Sequence, residues 1–185
     1  LLESSGVDSS LLSDMNKDVN RLSVIAERFS KIGSKPEMEL IYVNEVLENA
    51  TEYMRRRVSD KVLITTHLPS DAEGAMVCLS LFEWVIENLC KNAVDAMNGE
   101  GRIDVYMTSE KQQIYIDIKD TGKGIARKNF KTVFNPGYTT KKRGWGLGLT
   151  LAKRIIEDYH AGRIYVKDSE VGKGTTFRIE LTRVV

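Results

Sequence analysis

Two cysteines, two histidines and three prolines are all that 185 residues contain of these three types, and each scarcity removes a class of protein. Cys78 and Cys90 stand in apolar surroundings with neither a CxxC nor a Cys/His spacing, which argues against a disulfide scaffold or a structural zinc site and for a reducing, cytoplasmic-type compartment. No apolar run reaches the roughly 20 residues that a membrane span needs. No basic region followed by an apolar segment opens the chain. The expectation is a soluble chain. It begins at Leu1, not at Met, and reads as a piece of something longer. A net charge of +1 supplies no global attraction to nucleic acid or membrane, and 42% hydrophobic content suffices for one substantial core.

The most informative absence is local. Between Thr121 and Ile156 there is no acidic residue, while Lys123, Arg127, Lys128, Lys131, Lys141, Lys142, Arg143, Lys153 and Arg154 all carry positive charge. The remainder of the chain is therefore acidic, and the asymmetry concentrates around a glycine-rich stretch. An anion is expected there, against the plainer alternative of a solvated basic face.

Hydrophobic periodicity organises the rest. Leu12, Met15, Val19, Leu22, Ala26 and Phe29 follow a heptad seam, the pattern of a helix that packs on other helices. Gly33, Ser34 and Pro36 end it and form a linker. An amphipathic helix is predicted over Val43 to Val58, strands over Val62 to His67 and about Ala75 to Leu79, and a long helix to about Met97 opened by a capping box at Ser80–Glu83. A hairpin follows, with strands at Arg102–Thr108 and Gln113–Lys119. Next come a short helix near Lys128–Phe134, a helix from about Leu147 to His160, and strands at Arg163–Asp168 and Thr175–Thr182. This order fits an α+β two-layer sandwich, a mixed sheet with helices on one face.

On the long helix, Phe82, Val85, Ile86, Leu89, Ala93 and Met97 form a core stripe. Beside it Asn88, Asn92 and Asp95 fall at i, i+4 and i+7 and share one flank. Asn is a mediocre helix former, and amide oxygens are suitable ligands for Mg2+, which is usually held jointly by protein and substrate phosphates. The competing reading is a solvated flank, with Glu87 and Lys91 as an ordinary i,i+4 pair. Asp120–Ile125, "DTGKGI", follows a strand but fails as a dinucleotide fingerprint. Arg127 stands at the sixth position, and no acid follows about 20 residues on. Asp120 is better placed to accept from an exocyclic amine. The glycines at 144, 146 and 148 precede a helix, whose first N–H groups favour phosphate, with Lys141, Lys142 and Arg143 to offset its charge. The spacing is not that of a P-loop.

Four segments occur together in one order: "ENLCKNAVDAM" (87–97), "DTGKGI" (120–125), "VFNPGYTTK" (133–141) with "GWGLGL" (144–149), and "GKGTTF" (172–177). In this combination the chain resembles the nucleotide-binding boxes of sensor histidine kinases, within the wider superfamily that includes DNA gyrase, a heat-shock chaperone and a mismatch-repair ATPase. The resemblance implies the histidine kinase ATPase (Bergerat) fold over 36–185, with 1–35 as part of the second helix of a dimerisation and phosphotransfer hairpin plus linker. It implies ATP and Mg2+ as cofactors, with Asn92 as metal ligand and Asn88 and Asp95 beside it. Asp120 would accept from the adenine amine, with Gly122, Gly124, Ile125 and Thr175 around the base. Thr139, Thr140, Lys141, Arg143, Gly144, Gly146, Leu147, Gly148 and Leu149 would form the lid and phosphate cradle, Lys141 and Arg143 stabilising the transferred phosphate. The implied partners are a hairpin carrying the acceptor His and a response regulator, in a homodimer, with no nucleic acid.

Two departures refine this. Hydrolysing relatives resemble one another in having a Glu four positions before the metal-binding Asn. Here that position is Asn88, which cannot act as a general base, so transfer to a protein acceptor is favoured over hydrolysis. The alternatives are an ATPase or a Ser/Thr-directed relative using Glu87, or a non-catalytic nucleotide-binding scaffold. The acceptor is also missing: neither His67, at a strand end, nor His160, at a helix C-terminus where an imidazole suits the dipole, resembles the family's acceptor, so the chain is expected not to phosphorylate itself.

Overall fold

The computed structural model describes residues 36–141 and 145–184. The heptad segment, and Lys142, Arg143 and Gly144, lie outside them.

Strand β1 (Glu39–Tyr42) runs directly into helix α1 (Val43–Arg55). Strands β2 (Val62–His67) and β3 (Gly74–Val77) follow, then the long helix α2 (Leu79–Ala96) and the hairpin β4 (Gly101–Glu110) and β5 (Gln113–Asp120). Two single 3-10 turns, Arg127–Asn129 and Thr132–Phe134, precede helix α3 (Gly148–Arg154), which continues as a π-helical turn over Ile155–Tyr159. Strands β6 (Arg163–Glu170) and β7 (Gly174–Thr182) close the chain.

The main sheet has the order β2-β4-β5-β7-β6, with β2 parallel to β4 and every other pair antiparallel. Strand alternation divides it into two faces. Ile103, Val105 and Met107 of β4, Ile114, Ile116 and Ile118 of β5, and Phe177, Ile179 and Leu181 of β7 are all buried. They meet Val46, Leu47, Ala50 and Met54 of α1, the predicted stripe of α2, and Leu151, Ala152, Ile155 and Ile156. Each such side chain contributes about 1.5–3 kcal/mol on burial, so the helical layer is held by one continuous apolar seam. The opposite face is polar. There Asp117 accepts from Arg178 at 2.6 and 2.7 Å and from Lys167 at 2.6 Å, and His67 stacks on Tyr106 with ring centroids 4.4 Å apart. Among the described residues helices thus cover one face, as the pattern predicts.

Register positions the site. Ile103 pairs with Asp120 and Asp120 with Thr175, so the ends of three neighbouring strands bring Asp120 and Thr175 abreast.

Several local expectations need correction. Strand β1 was not foreseen: its four residues lie between the predicted linker and the predicted helix, and among the described residues it pairs with β3, whose own edge is tied to the C-terminus by a Gly74–Val184 bridge. Helix α1 ends at Arg55, not Val58, its last turn tightening through a Met54 carbonyl that accepts from Arg57 at 2.9 Å. No capping box opens α2, because the helix begins at Leu79 with Cys78 as N-cap and no side-chain cap bond; Ser80 then sits inside the first turn, past the capping position. The expected 128–134 helix is two separate 3-10 turns. His160 is no cation at a helix end. It is 5% exposed, with Nε2 accepting from the Cys78 N–H at 3.0 Å and Nδ1 donating to the Ile155 carbonyl at 2.8 Å. Burial lowers its pKa against the opposing effect of those two backbone bonds.

Candidate nucleotide site

The C-terminal half of α2, the 120–125 loop, the β6–β7 turn and residues 135–141 and 145–148 converge at one end of the sheet. Helix spacing puts Asn88, Asn92 and Asp95 on one flank of α2, beside the buried stripe. Where α2 ends, the Ala96 carbonyl accepts from the Lys123 N–H at 3.0 Å, and the Lys123 carbonyl accepts from the Gly172 N–H at 2.8 Å. The loop is therefore clamped between the helix and the β6–β7 turn. Gly122 is required for this: a Cβ there would lie 2.7 Å from the Ala96 carbonyl carbon.

Asp120 ends β5 and is 4% exposed. Its Oδ1 accepts from the Gly122 N–H at 2.8 Å. Burial raises its pKa, partly offset by backbone hydrogen bonds from Gly122 and Thr175. Thr175 is also buried, and its hydroxyl lies 2.9 Å from that of Ser169. Ser169 accepts from the Ile125 N–H at 2.8 Å and donates to the Gly174 carbonyl at 2.8 Å. It fixes the loop around the proposed base position, yet nothing in its sequence neighbourhood marks it, since it reads as one polar residue at a strand end.

The lid segment is pinched at its base by a Gly137 N–H to Gly146 carbonyl bond of 3.1 Å. Thr139 accepts from the Lys141 backbone N–H at 3.1 Å, and Thr140 accepts from the Lys123 ammonium at 2.8 Å. Lys123 is a second residue that sequence reasoning missed, although its charge was part of the basic cluster. Lys141 crosses to α2, donating to Asn92 Oδ1 at 2.8 Å and to Asp95 Oδ2 at 2.5 Å. Trp145 is 57% exposed.

Gly148 opens α3 with no side-chain cap bond at Leu147. Space left by its missing side chain is filled by Asn88, whose Oδ1 would lie 2.5 Å from a Cβ at this position. At Gly146 the same space is taken by the backbone of Gly137 and Tyr138. These two glycines thus serve contacts within the protein, an addition to the expectation that they admit phosphate. Ile125, Leu147 and Leu149 are partly buried in these same segments.

The donor set fits a magnesium nucleotide. The Asn88 Nδ2 is buried without a hydrogen-bond partner, an orphaned donor one helical turn before Asn92, the residue the resemblance assigns as metal ligand. Asn92 and Asp95 already hold a cation, the Lys141 ammonium. Among the described residues no three His, Cys, Asp or Glu side chains are grouped to hold a metal by themselves, which matches an ion shared with phosphates. Glu87, the alternative base, accepts from Lys91 at 3.0 Å as an i,i+4 pair.

Residues 79–184 match the family described as histidine kinase-, DNA gyrase B-, and HSP90-like ATPase. The chain belongs to that family. It is 40% identical over 99 residues to sporulation kinase A of Bacillus subtilis, an alignment covering 54% of this chain and 16% of that protein. To sensor kinase CckA of Brucella abortus it is 32% identical over 164 residues, 80% of this chain and 17% of that one. The chain thus spans a small part of the length of these relatives. Among solved structures, the catalytic domain of histidine kinase ThkA aligns with a TM-score of 0.72 at 22% identity, over 80% of this chain and 96% of that one. ShkA in complex with AMPPNP aligns with a TM-score of 0.78 at 22% identity, over 95% of this chain and 39% of that one. The fold is that of histidine kinase catalytic domains.

Proposed function

We propose that this chain is the ATP-binding catalytic part of a two-component sensor histidine kinase, passing the γ-phosphoryl group of ATP to a His on a dimerisation hairpin that is incomplete here. The observation that carries the reading is a juxtaposition: a cation-holding amide and carboxylate, Asn92 and Asp95, stand on α2, and the end of that helix is hydrogen-bonded to the loop that follows the buried carboxylate Asp120.

The roles are those the resemblance implies, and the contacts among the described residues support them. Asp120 accepts from the exocyclic amine of the base, and Gly122, Gly124, Ile125 and Thr175 shape the slot around it. Asn92 is the protein's ligand for Mg2+, with Asn88 and Asp95 beside it. Bound magnesium would neutralise phosphate charge, the main requirement of a phosphoryl transfer governed by positioning and electrostatics. Thr139, Thr140, Lys141, Arg143 and the glycines at 144, 146 and 148 cover the phosphates. Transfer is favoured over hydrolysis because Asn88 stands where a water-activating carboxylate is required, and because Glu87 is engaged by Lys91 on the surface of α2. The phosphorylated hairpin would then serve a response regulator, in a homodimeric full-length protein. The histidine kinase ThkA has been solved with response regulator protein TrrA, which supports that partner class. Among the described residues no helix is long and apolar enough to cross a membrane, and use of ATP places this part on the cytoplasmic side.

Calorimetric titration with Mg2+-ATP tests the reading. Binding is expected in the wild-type chain. In Asn92→Ala, the gain in affinity that Mg2+ confers over EDTA should disappear. Equal Mg2+ dependence in wild type and Asn92→Ala would remove that residue from the metal site, and no binding in either would remove the site itself.

A further inference from the structure

We propose that Lys141 is a built-in stand-in for the divalent cation: without nucleotide its ammonium occupies the Asn92–Asp95 ligand pair and straps the lid segment to α2, so that the metal enters only together with phosphates. This rests on the assignment of Asn92 as the metal ligand.

Three observations carry it. The Lys141 Nζ lies 2.8 Å from Asn92 Oδ1 and 2.5 Å from Asp95 Oδ2, so one positive charge already meets an amide oxygen and a carboxylate. The neighbouring Thr140 is held from the other wall, its hydroxyl accepting from the Lys123 ammonium at 2.8 Å. Lys123 belongs to the loop clamped to the end of α2, so the segment is held between two fixed points. The strap is also weak by nature. Lys141 and Asp95 side chains are 40% and 54% exposed, and a pair of that exposure contributes little. An ammonium has no second carboxylate here, whereas a divalent ion arriving with phosphates brings its own counter-charges. Displacement of Lys141 from Asn92 then frees the ammonium for the phosphates. One side chain is a placeholder in the free state and a phosphate contact in the loaded one.

Limited trypsin digestion of the 185-residue chain, free of nucleotide and in EDTA, tests this by the rate of the cut after Arg143. In Asp95→Ala and in Lys141→Met the cut is expected about two- to fivefold faster than in wild type, the range an exposed ion pair can supply. The double variant should be no faster than either, and Lys141→Arg should stay near wild type. Salt at about 1 M, where the Debye length is about 3 Å, should accelerate wild type more than the single variants. Mg2+ without nucleotide should leave the wild-type rate unchanged. A wild-type rate in either single variant overturns the strap, and so does acceleration by Mg2+ alone. Calorimetry on the same samples separates the two claims: unchanged digestion with Asn92-dependent ATP binding refutes the strap and leaves the nucleotide reading standing.

Discussion

Asp120 combines two demands at one carboxyl. It is buried, which raises its pKa, yet it must be ionised to accept strongly from an amine. The sign of each consequence differs. A carboxyl whose folded pKa is raised binds its proton more tightly in the folded chain, so its ionisation costs stability as pH rises through that pKa. Asp120→Asn keeps the Gly122 N–H bond while removing the charge. The domain should lose nothing, or gain slightly, in thermal midpoint at neutral pH, while ATP affinity should fall about tenfold to a hundredfold, the range for a hydrogen bond to a charged group. Wild-type affinity should also weaken as pH falls through the Asp120 pKa, and that pH dependence should vanish in Asp120→Asn. Retained affinity in the variant would remove Asp120 from the base position. His160 has the opposite linkage. Its pKa is lowered from the ordinary 6.5, and the proton it would gain at Nε2 displaces the Cys78 N–H. The folded state favours the neutral ring, so stability is full above the unfolded value and is lost as pH falls below it. His160→Gln should cost about 1–3 kcal/mol at pH 7 and flatten the fall of the denaturant midpoint between neutral and mildly acidic pH. An equally steep fall in the variant would assign the pH response elsewhere.

At the scale of elements, the junction of α2 and α3 depends on a small residue against a large one. Gly148 is tight against the Asn88 amide, so a side chain at 148 displaces Asn88 or parts the helices. Gly148→Ala is favourable by helix propensity, by up to about 1 kcal/mol. It should nevertheless lower the chemical-denaturation midpoint and weaken ATP binding. In the Asn88→Ala background, where the obstructing amide is gone, the same substitution should turn neutral or stabilising, and this non-additivity is the signature of direct contact. Equal effects in both backgrounds would show that the two positions do not press on each other. The polar face of the sheet poses a different problem. Asp117 is buried enough that desolvation opposes its charge, but hydrogen bonds from Arg178 and Lys167 outweigh that and hold its pKa below the usual range. The cross-strand pairing of Asp117 with Arg178 allows this ion cluster to brace β5, β6 and β7 from the side opposite the described helices.

For the molecule as a whole, the decisive question under the proposed function is where the phosphoryl group goes. Both histidines of this chain are engaged by neighbours within the fold. His67 stacks on Tyr106 on the polar face and lies 3.3 Å from Asp104 Oδ1, and both ring nitrogens of His160 are engaged. Incubation with γ-labelled ATP should leave the chain unlabelled. Addition of a hairpin carrying an acceptor His from the full-length protein should yield acid-labile label on that hairpin. Stoichiometric acid-labile label on the chain alone would overturn the acceptor argument, and ATP binding with no transfer to the hairpin would favour a nucleotide-binding scaffold.

Much of this was legible before any coordinates. Alternation fixed the strands of the large sheet because one face is buried and the other wet, and a period of 3.6 picked out both the core stripe of α2 and the Asn88–Asn92–Asp95 flank. The glycine boxes and the acid-free stretch pointed by chemistry to segments that the structure brings to one end of the sheet. Local pattern failed where distant groups decide local structure. The Ser80–Glu83 motif gives no sign that α2 begins two residues too soon to use it. Four residues of β1 become a strand only because β3 is there to pair with them. Ser169, Lys123 and the Cys78–His160 bond act across many residues of sequence, so no window contains both partners. Sequence by itself determined the kinds of chemistry available, since side-chain type and spacing are local properties. Which cation sits on Asn92, and whether His160 is charged, were decided by tertiary structure, because burial and counter-charge are supplied by residues far away along the chain.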